Sequence, residues 1–389
     1  MFDPPHETMT ATTSDHKDPA SGEKILTAGF NDIEMVIAKT MEYLAVPSVV
    51  GHEQFFIDYL KNDFEAIGLK GVKHHGLLEI HGDKANSAIL CAHLDRHGLI
   101  SLGKGEYAYA AQFIREIKYG EANRASRREL EGLGKRFAGE TVFAYDPKTS
   151  EKLGEGVIEV CHPLMMMGEA LFFIQGMKAQ RQGIPVAYAR TAREQDGYLK
   201  GQIDNALSLG VVYALYKNGY QGTTLLSCEE EIGKSWVHIA SWLKKTKIEN
   251  KTLLVIDTSP FADAAPIDQG MIILRNRDMS AKFNPALVGA LKTRCGVMEI
   301  PFQVKDEVLL SKGKSVSQLG STELGRLVQH TKKKWSGATV QIPTMMYHTS
   351  NETTSRLAIR NYFRFLKNIL VDDPLPLGSK AKKKRPWRK

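Results

Sequence analysis

S-A-I-L-C-A-H-L-D-R-H-G, residues 87–98, is the stretch on which the fold turns. Ala88 to Ala92 form an unbroken apolar run with no polar alternation. A strand covered on both faces needs such a run, and strands of that kind belong to mostly parallel sheets flanked by helices. The run delivers His93 and Asp95, two residues apart and therefore on one side of the strand. In open α/β sheets ligands bind beyond the carboxyl ends of the strands. The stretch thus predicts a fold class and a place for chemistry together. An imidazole with a carboxylate beside it suits a metal ligand and the partner that fixes its tautomer.

Three further apolar runs end in the same kinds of residue. In T-T-L-L-S-C-E-E-E-I-G-K, residues 223–234, Leu225 and Leu226 lead into Glu229, Glu230 and Glu231. Neighbouring strand residues face opposite ways, so Glu230 and Glu231 are expected to divide between a metal and the substrate. Leu253 to Ile256 ends in Asp257, and V-Q-I-P-T-M-M-Y-H-T-S-N-E, residues 340–352, delivers His348 and Glu352. Asp204 stands just before a helical pattern of Leu207, Val211, Val212, Ala214 and Leu215. It serves equally well as a helix N-cap or as a ligand, since Asn205 could cap instead. Two histidines with several carboxylates and no thiolate suit a pair of divalent ions, with zinc expected and cobalt or manganese compatible. Two such ions ~3.5–4 Å apart need a bridging carboxylate and further ligands each. One glutamate is then left over to act as general base toward the attacking water.

The rest of the chain sets the frame. Its 389 residues allow two or three domains, and 42% apolar content supplies ample core. No run approaches the ~20 apolar residues of a membrane span, and the polar N-terminus lacks the apolar core of a secretory signal. A cytoplasmic protein with no membrane role is expected. Cys91, Cys161, Cys228 and Cys295 form no C-x-x-C pair, so reduced thiols are expected. The net charge of +8 is concentrated: seven basic residues among the last twelve leave the remaining chain at +1. A basic tail on a nearly neutral body argues against nucleic-acid binding as the main activity.

In order, residues 1–30 read as a disordered leader and 372–389 as the basic tail. Residues 31–100 and 200–371 carry the helix-and-buried-strand pattern of one α/β unit. Between them, 101–199 hold short strand-like segments such as T-V-F-A-Y-D and A-L-F-F-I, a β-rich second domain inserted into the first. The expected fold is therefore α/β: a mixed, mostly parallel sheet flanked by helices, with that insertion.

The order His–x–Asp, then Asp, then Glu–Glu–hydrophobic–Gly, then Asp, then His–x–x–x–Glu resembles the co-catalytic dizinc aminopeptidases. Within them it is most similar to the glutamyl/deblocking enzymes that assemble into tetrahedral particles, and the resemblance spans roughly residues 31–371. It implies that His93, Asp204 and Asp257 hold one metal, and that Asp204, Glu231 and His348 hold the other. It implies further that Asp95 orients His93, that Glu230 is the general base, and that the insertion mediates assembly into dimers and then dodecamers that admit short peptides. Glu229 falls where those enzymes often have Gln and is left outside the site. Two departures stand out: Arg96-His97 where an acidic residue usually follows, and Asp204-Asn205-Ala206 in place of Asp-Asp-Arg. Both bear on recognition of the substrate's amino end. Asp-Asn at that point also suits the related dimetal carboxypeptidases and N-acyl-amino-acid deacylases, which are the alternative activity.

Overall fold

The structure is a computed structural model, and it describes residues 20–84, 88–111, 127–164, 169–246, 252–332 and 334–376. The basic tail from residue 377 and the leader up to residue 19 lie outside them. Helix α1 (Ala20–Ala45) already runs through the second part of the expected leader. That expectation followed the polar composition of the stretch and passed over Glu23-Lys24-Ile25-Leu26, a run without a helix breaker. Helix α2 (Gln54–Ala66) follows and stops at Gly68, which takes a positive φ.

Among the described residues the chain then builds three sheets. An antiparallel pair, β1 (Lys70–His74) and β2 (Leu77–His81), leads into β3 (Ile89–His93), whose residues are all buried. Directly afterwards β4 (Leu99–Gly103), β5 (Glu106–Tyr109), β6 (Thr141–Tyr145), β7 (Lys152–Leu164), β8 (Glu169–Gln175) and β9 (Pro185–Tyr188) close a barrel, with α3 (Arg127–Phe137) against it. The barrel has its own core, in which Phe137 of α3 lies 5.3 Å from the Phe172 ring and stacks on Tyr188 at 5.2 Å. Gly98 makes the departure from β3 possible. A side chain there would meet the Val186 carbonyl oxygen at 2.6 Å.

Residues beyond the barrel return to the body of the molecule. β10 (Arg193–Gln195) and β11 (Tyr198–Gly201) form a small antiparallel sheet completed by β17 (Glu352–Ser355). Helix α4 (Ala206–Lys217) is apolar nearly all round and buried, and Gly210 lets it approach α1 closely. The large sheet takes up β12 (Thr223–Ser227), β13 (Thr252–Pro260), β14 (Ile272–Leu274), β15 (Phe302–Val304) and β16 (Ser336–Thr344). Its order is β1-β2-β12-β3-β13-β16-β14-β15, and the four central strands β12, β3, β13 and β16 are mutually parallel. The later helices are α5 (Ser235–Lys245), α6 (Ala265–Asp268), α7 (Pro285–Val297), α8 (Lys305–Ser311), α9 (Glu323–His330) and α10 (Arg356–Lys367), of which α5, α9 and α10 cover the sheet together with α1, α2 and α4. The fold is thus α/β, with a mixed sheet and a closed barrel. Residues 353–355 belong to β17, and Ser355 accepts the amide of Ala358 and so caps α10. Among the described residues no helix is long and apolar enough to cross a membrane.

Candidate metal centre

Register brings the predicted residues to one edge. β12 and β3 pair in parallel with Ser227 opposite His93, so the glutamate run emerges beside the histidine. β13 pairs on the other side with Val255 opposite Cys91, which carries Asp257 level with His93 two residues on. His93 Nε2 accordingly lies 3.4 Å from an Asp257 carboxylate oxygen and 3.2 Å from Asp204 Oδ1. The other Asp204 oxygen, Oδ2, lies 3.4 Å from His348 Nε2. Asp204 therefore spans two imidazoles, one through each oxygen. It does not cap α4. Asn205 occupies that position without a capping side-chain bond, and its amide instead donates to the Ile256 carbonyl.

The glutamates differ from expectation in how they are set apart. Glu229 has a left-handed backbone (φ 63°), and Glu230 to Ile232 form a short 3-10 turn beyond the strand. Strand alternation is not what separates them; the turn is. Glu229 pairs with His238 at 2.8 Å, away from the cluster. Glu230 faces Arg326 of α9 at 3.2 Å, and Glu231 points to the histidines. Asp95 holds this turn in place: its two carboxylate oxygens accept the backbone amides of Glu230 (3.0 Å) and Glu231 (2.9 Å). Its carboxylate is 3.7 Å from His93 Nδ1, whereas its own carbonyl oxygen is closer, at 3.1 Å. The orientation of His93 expected from the Asp95 side chain thus comes more closely from its main chain, because the side chain is already occupied.

Several participants carried no assignment from sequence. His97 Nε2 lies 2.6 Å from Glu231 Oε2, and its ring centroid is 3.6 Å from that of His348. Glu352 is fully buried, and its carboxylate accepts the amides of Asp204 (2.8 Å) and His348, fixing both backbones. Arg326 comes from an amphipathic helix with no local signal of its role. His97 did have a signal. His93, Asp95 and His97 recur at two-residue spacing past a buried strand end, a pattern that the resemblance leaves without a metal role for the last of them.

The electrostatics describe a site rich in acids and short of cations. Burial would lower the His93 pKa, but hydrogen bonds to Asp204, Asp257 and Asp95 outweigh it and hold it well above the ordinary value. Burial alone would raise Asp204, yet His348 and His93 pull it well below the usual carboxylate range. Glu231 is pushed up to about 8, chiefly by burial. Glu230 is raised by burial as well, opposed by Arg326, and its side chain keeps 17% exposure. Burial takes His97 down to about 3 and His348 down to about 4. Four carboxyl groups, those of Asp95, Asp204, Asp257 and Glu231, thus converge on imidazoles of which two are held neutral, an arrangement that added positive charge would relieve.

Among the described residues two donor sets emerge, His93–Asp204–Asp257 and His97–Glu231–His348, with the ligand atoms of each within 4.8 Å of one another. The separations of 3.2–3.4 Å around Asp204 suit the edge, about 3.3 Å, of a tetrahedron with ~2.0 Å bonds. His97 Nε2, His348 Nε2 and Glu231 Oε1 are buried without a hydrogen-bond partner. Nitrogen and oxygen donors without thiolate, neutral imidazoles and unpartnered buried atoms all fit divalent ions of the zinc kind.

No protein-family model matches the chain, and no curated protein matches it. Its fold does match solved structures. An aminopeptidase, APDkam598, from the archaeon Desulfurococcus kamchatkensis shares it at a TM-score of 0.68 and 14% identity, over 92% of this chain and 99% of that one. A TET aminopeptidase from a marine sediment Thaumarchaeota archaeon gives 0.65 and 15%, over 90% and 98%. The TET1 peptidase of Pyrococcus horikoshii, described as assembling into a tetrahedron or a large octahedral shell, gives 0.62 and 13%, over 86% and 99%. At such identities the likeness is one of fold.

Proposed function

We propose that this protein is a dimetal-dependent aminopeptidase that removes N-terminal residues from short peptides. The observation that carries the reading is the Asp204 carboxylate, one oxygen toward His93 and the other toward His348. A carboxylate so placed, with a separate set of donors on either side, is what two neighbouring divalent ions require. His93, Asp204 and Asp257 would hold one ion; Asp204, Glu231 and His348 the other. When bound, the pair supplies Lewis acidity toward the scissile carbonyl and lowers the pKa of water. Glu230, beside the cluster and partly exposed, takes the proton of the attacking water and returns it to the leaving amine. Arg326 opposes the burial that raises the pKa of Glu230, and Asp95 holds its backbone. The names of the fold relatives support peptidase chemistry.

The same reading takes the chain as an α/β catalytic domain (31–100 and 200–371) with an inserted oligomerisation domain over 101–199. Leu102 of β4 and Leu153 and Val157 of β7 are large apolar side chains exposed on barrel strands, and they support a contact between copies. The shells named for the TET1 peptidase point the same way.

Metal analysis of the purified protein, paired with aminoacyl and N-acyl chromogenic substrates, tests the reading. Two equivalents of a divalent ion are expected, most readily zinc, with hydrolysis confined to substrates bearing a free amine. Preference for N-acyl substrates would instead assign a carboxypeptidase or deacylase, an outcome to which Asn205 beside the bridging residue lends weight.

A further inference from the structure

We propose that His97 is itself a metal ligand, so that the second ion is held by His97, Glu231 and His348, with Asp204 shared between the two positions. The inference rests on the dimetal reading above and adds to it a residue for which the resemblance provides no role. His97 is 2% exposed, and its Nε2 lies 2.6 Å from Glu231 Oε2 yet makes no directed hydrogen bond. His348 Nε2 is likewise buried and unpartnered, with the two ring centroids 3.6 Å apart. A histidine that merely filled the core would have both ring nitrogens satisfied. Here one nitrogen of each ring is left facing the other and a shared carboxylate. A cation among them would satisfy all three groups at once.

The ring is also braced as a ligand should be. The Tyr109 hydroxyl of β5 hydrogen-bonds His97 Nδ1, which leaves Nε2 as the free donor atom, and the Tyr109 ring stacks on the imidazole at 5.5 Å. Tyr109 is in turn held edge-on by Phe137 at 5.6 Å, and Gln202 donates to the His97 carbonyl at 2.8 Å. Metal-bound histidines are commonly fixed through the second ring nitrogen in this way. Two imidazoles and a carboxylate make this position richer in nitrogen than one carrying a single histidine. It should favour zinc or cobalt over manganese.

Cobalt(II) titration of the metal-free, full-length protein, followed by visible absorption and by metal content after gel filtration, tests this. The wild type is expected to take two equivalents. His97→Gln should keep the first and bind the second at least roughly 10–100-fold more weakly, with a changed band envelope for that equivalent. Tyr109→Phe should still take two at saturation, the second with reduced affinity. Two equivalents bound by His97→Gln with wild-type affinity and spectrum would overturn the proposal while leaving the dimetal reading intact. A wild type that binds no metal would overturn both. Should His97→Gln fail to fold by circular dichroism, Tyr109→Phe decides, and an unchanged second affinity would count against His97.

Discussion

Glu230 and Glu231 are neighbours in sequence with separate surroundings, an arginine for one and two histidines for the other. Glu231→Gln should lower occupancy at one of two metal positions, because the ligand's charge is lost. Glu230→Gln should keep both metals but lower kcat by roughly 10²–10⁴-fold, the usual range for a positioned acid–base group. Metal stoichiometry and turnover of the two variants, measured side by side, check the assignment; the reverse pattern would exchange the roles. His93, Asp204, Glu231, Asp257 and His348 were legible as a group because four of them follow long apolar runs or sit within a few residues of one. Tyr109 and Arg326 were not. Their places depend on how a barrel and a helix dock over the sheet edge, and such contacts leave no periodicity in the chain.

Element ends show how local chemistry reaches stability. Glu53 stands at the start of α2, 6% exposed, with its carboxylate accepting the Gly51 amide at 2.8 Å. Burial, followed by the charge of Asp95, pushes its pKa up to about 8. The folded value thus lies above the unfolded one of about 4.3. The stability this group contributes is full below that lower value and is lost as pH rises through about 8. Glu53→Gln should therefore melt close to the wild type near pH 5 and above it at pH 8.5. Thermal melts at both pH values check this, and parallel curves would show that Glu53 ionises freely. The buried strands themselves were plain in the sequence, since an apolar run of four or five residues bounded by polar ones has few other readings. Boundaries were less so. α1 begins within a stretch of polar composition, and α10 follows β17 with only the Ser355 cap between them.

Across the whole molecule, the assembly proposed for the barrel is open to a direct test. Static light scattering of the full chain at micromolar concentration should give at least a dimer, because the barrel presents exposed leucine and valine side chains; a monomer would remove the barrel's proposed role. The short strands of this region were legible, but their closure was not. Nor was the pairing of β11 with β17, a contact across more than a hundred residues that no local pattern announces. Tyr109 and His97 join these scales. One belongs to the barrel and the other to the edge of the large sheet, and they meet in a single hydrogen bond. Thermodynamic linkage then makes the relation reciprocal: whatever tightens the hold on His97 also favours the seating of the barrel, by the same free energy. Neighbouring copies that pressed the barrel into this seat would thereby raise the affinity of the site for metal.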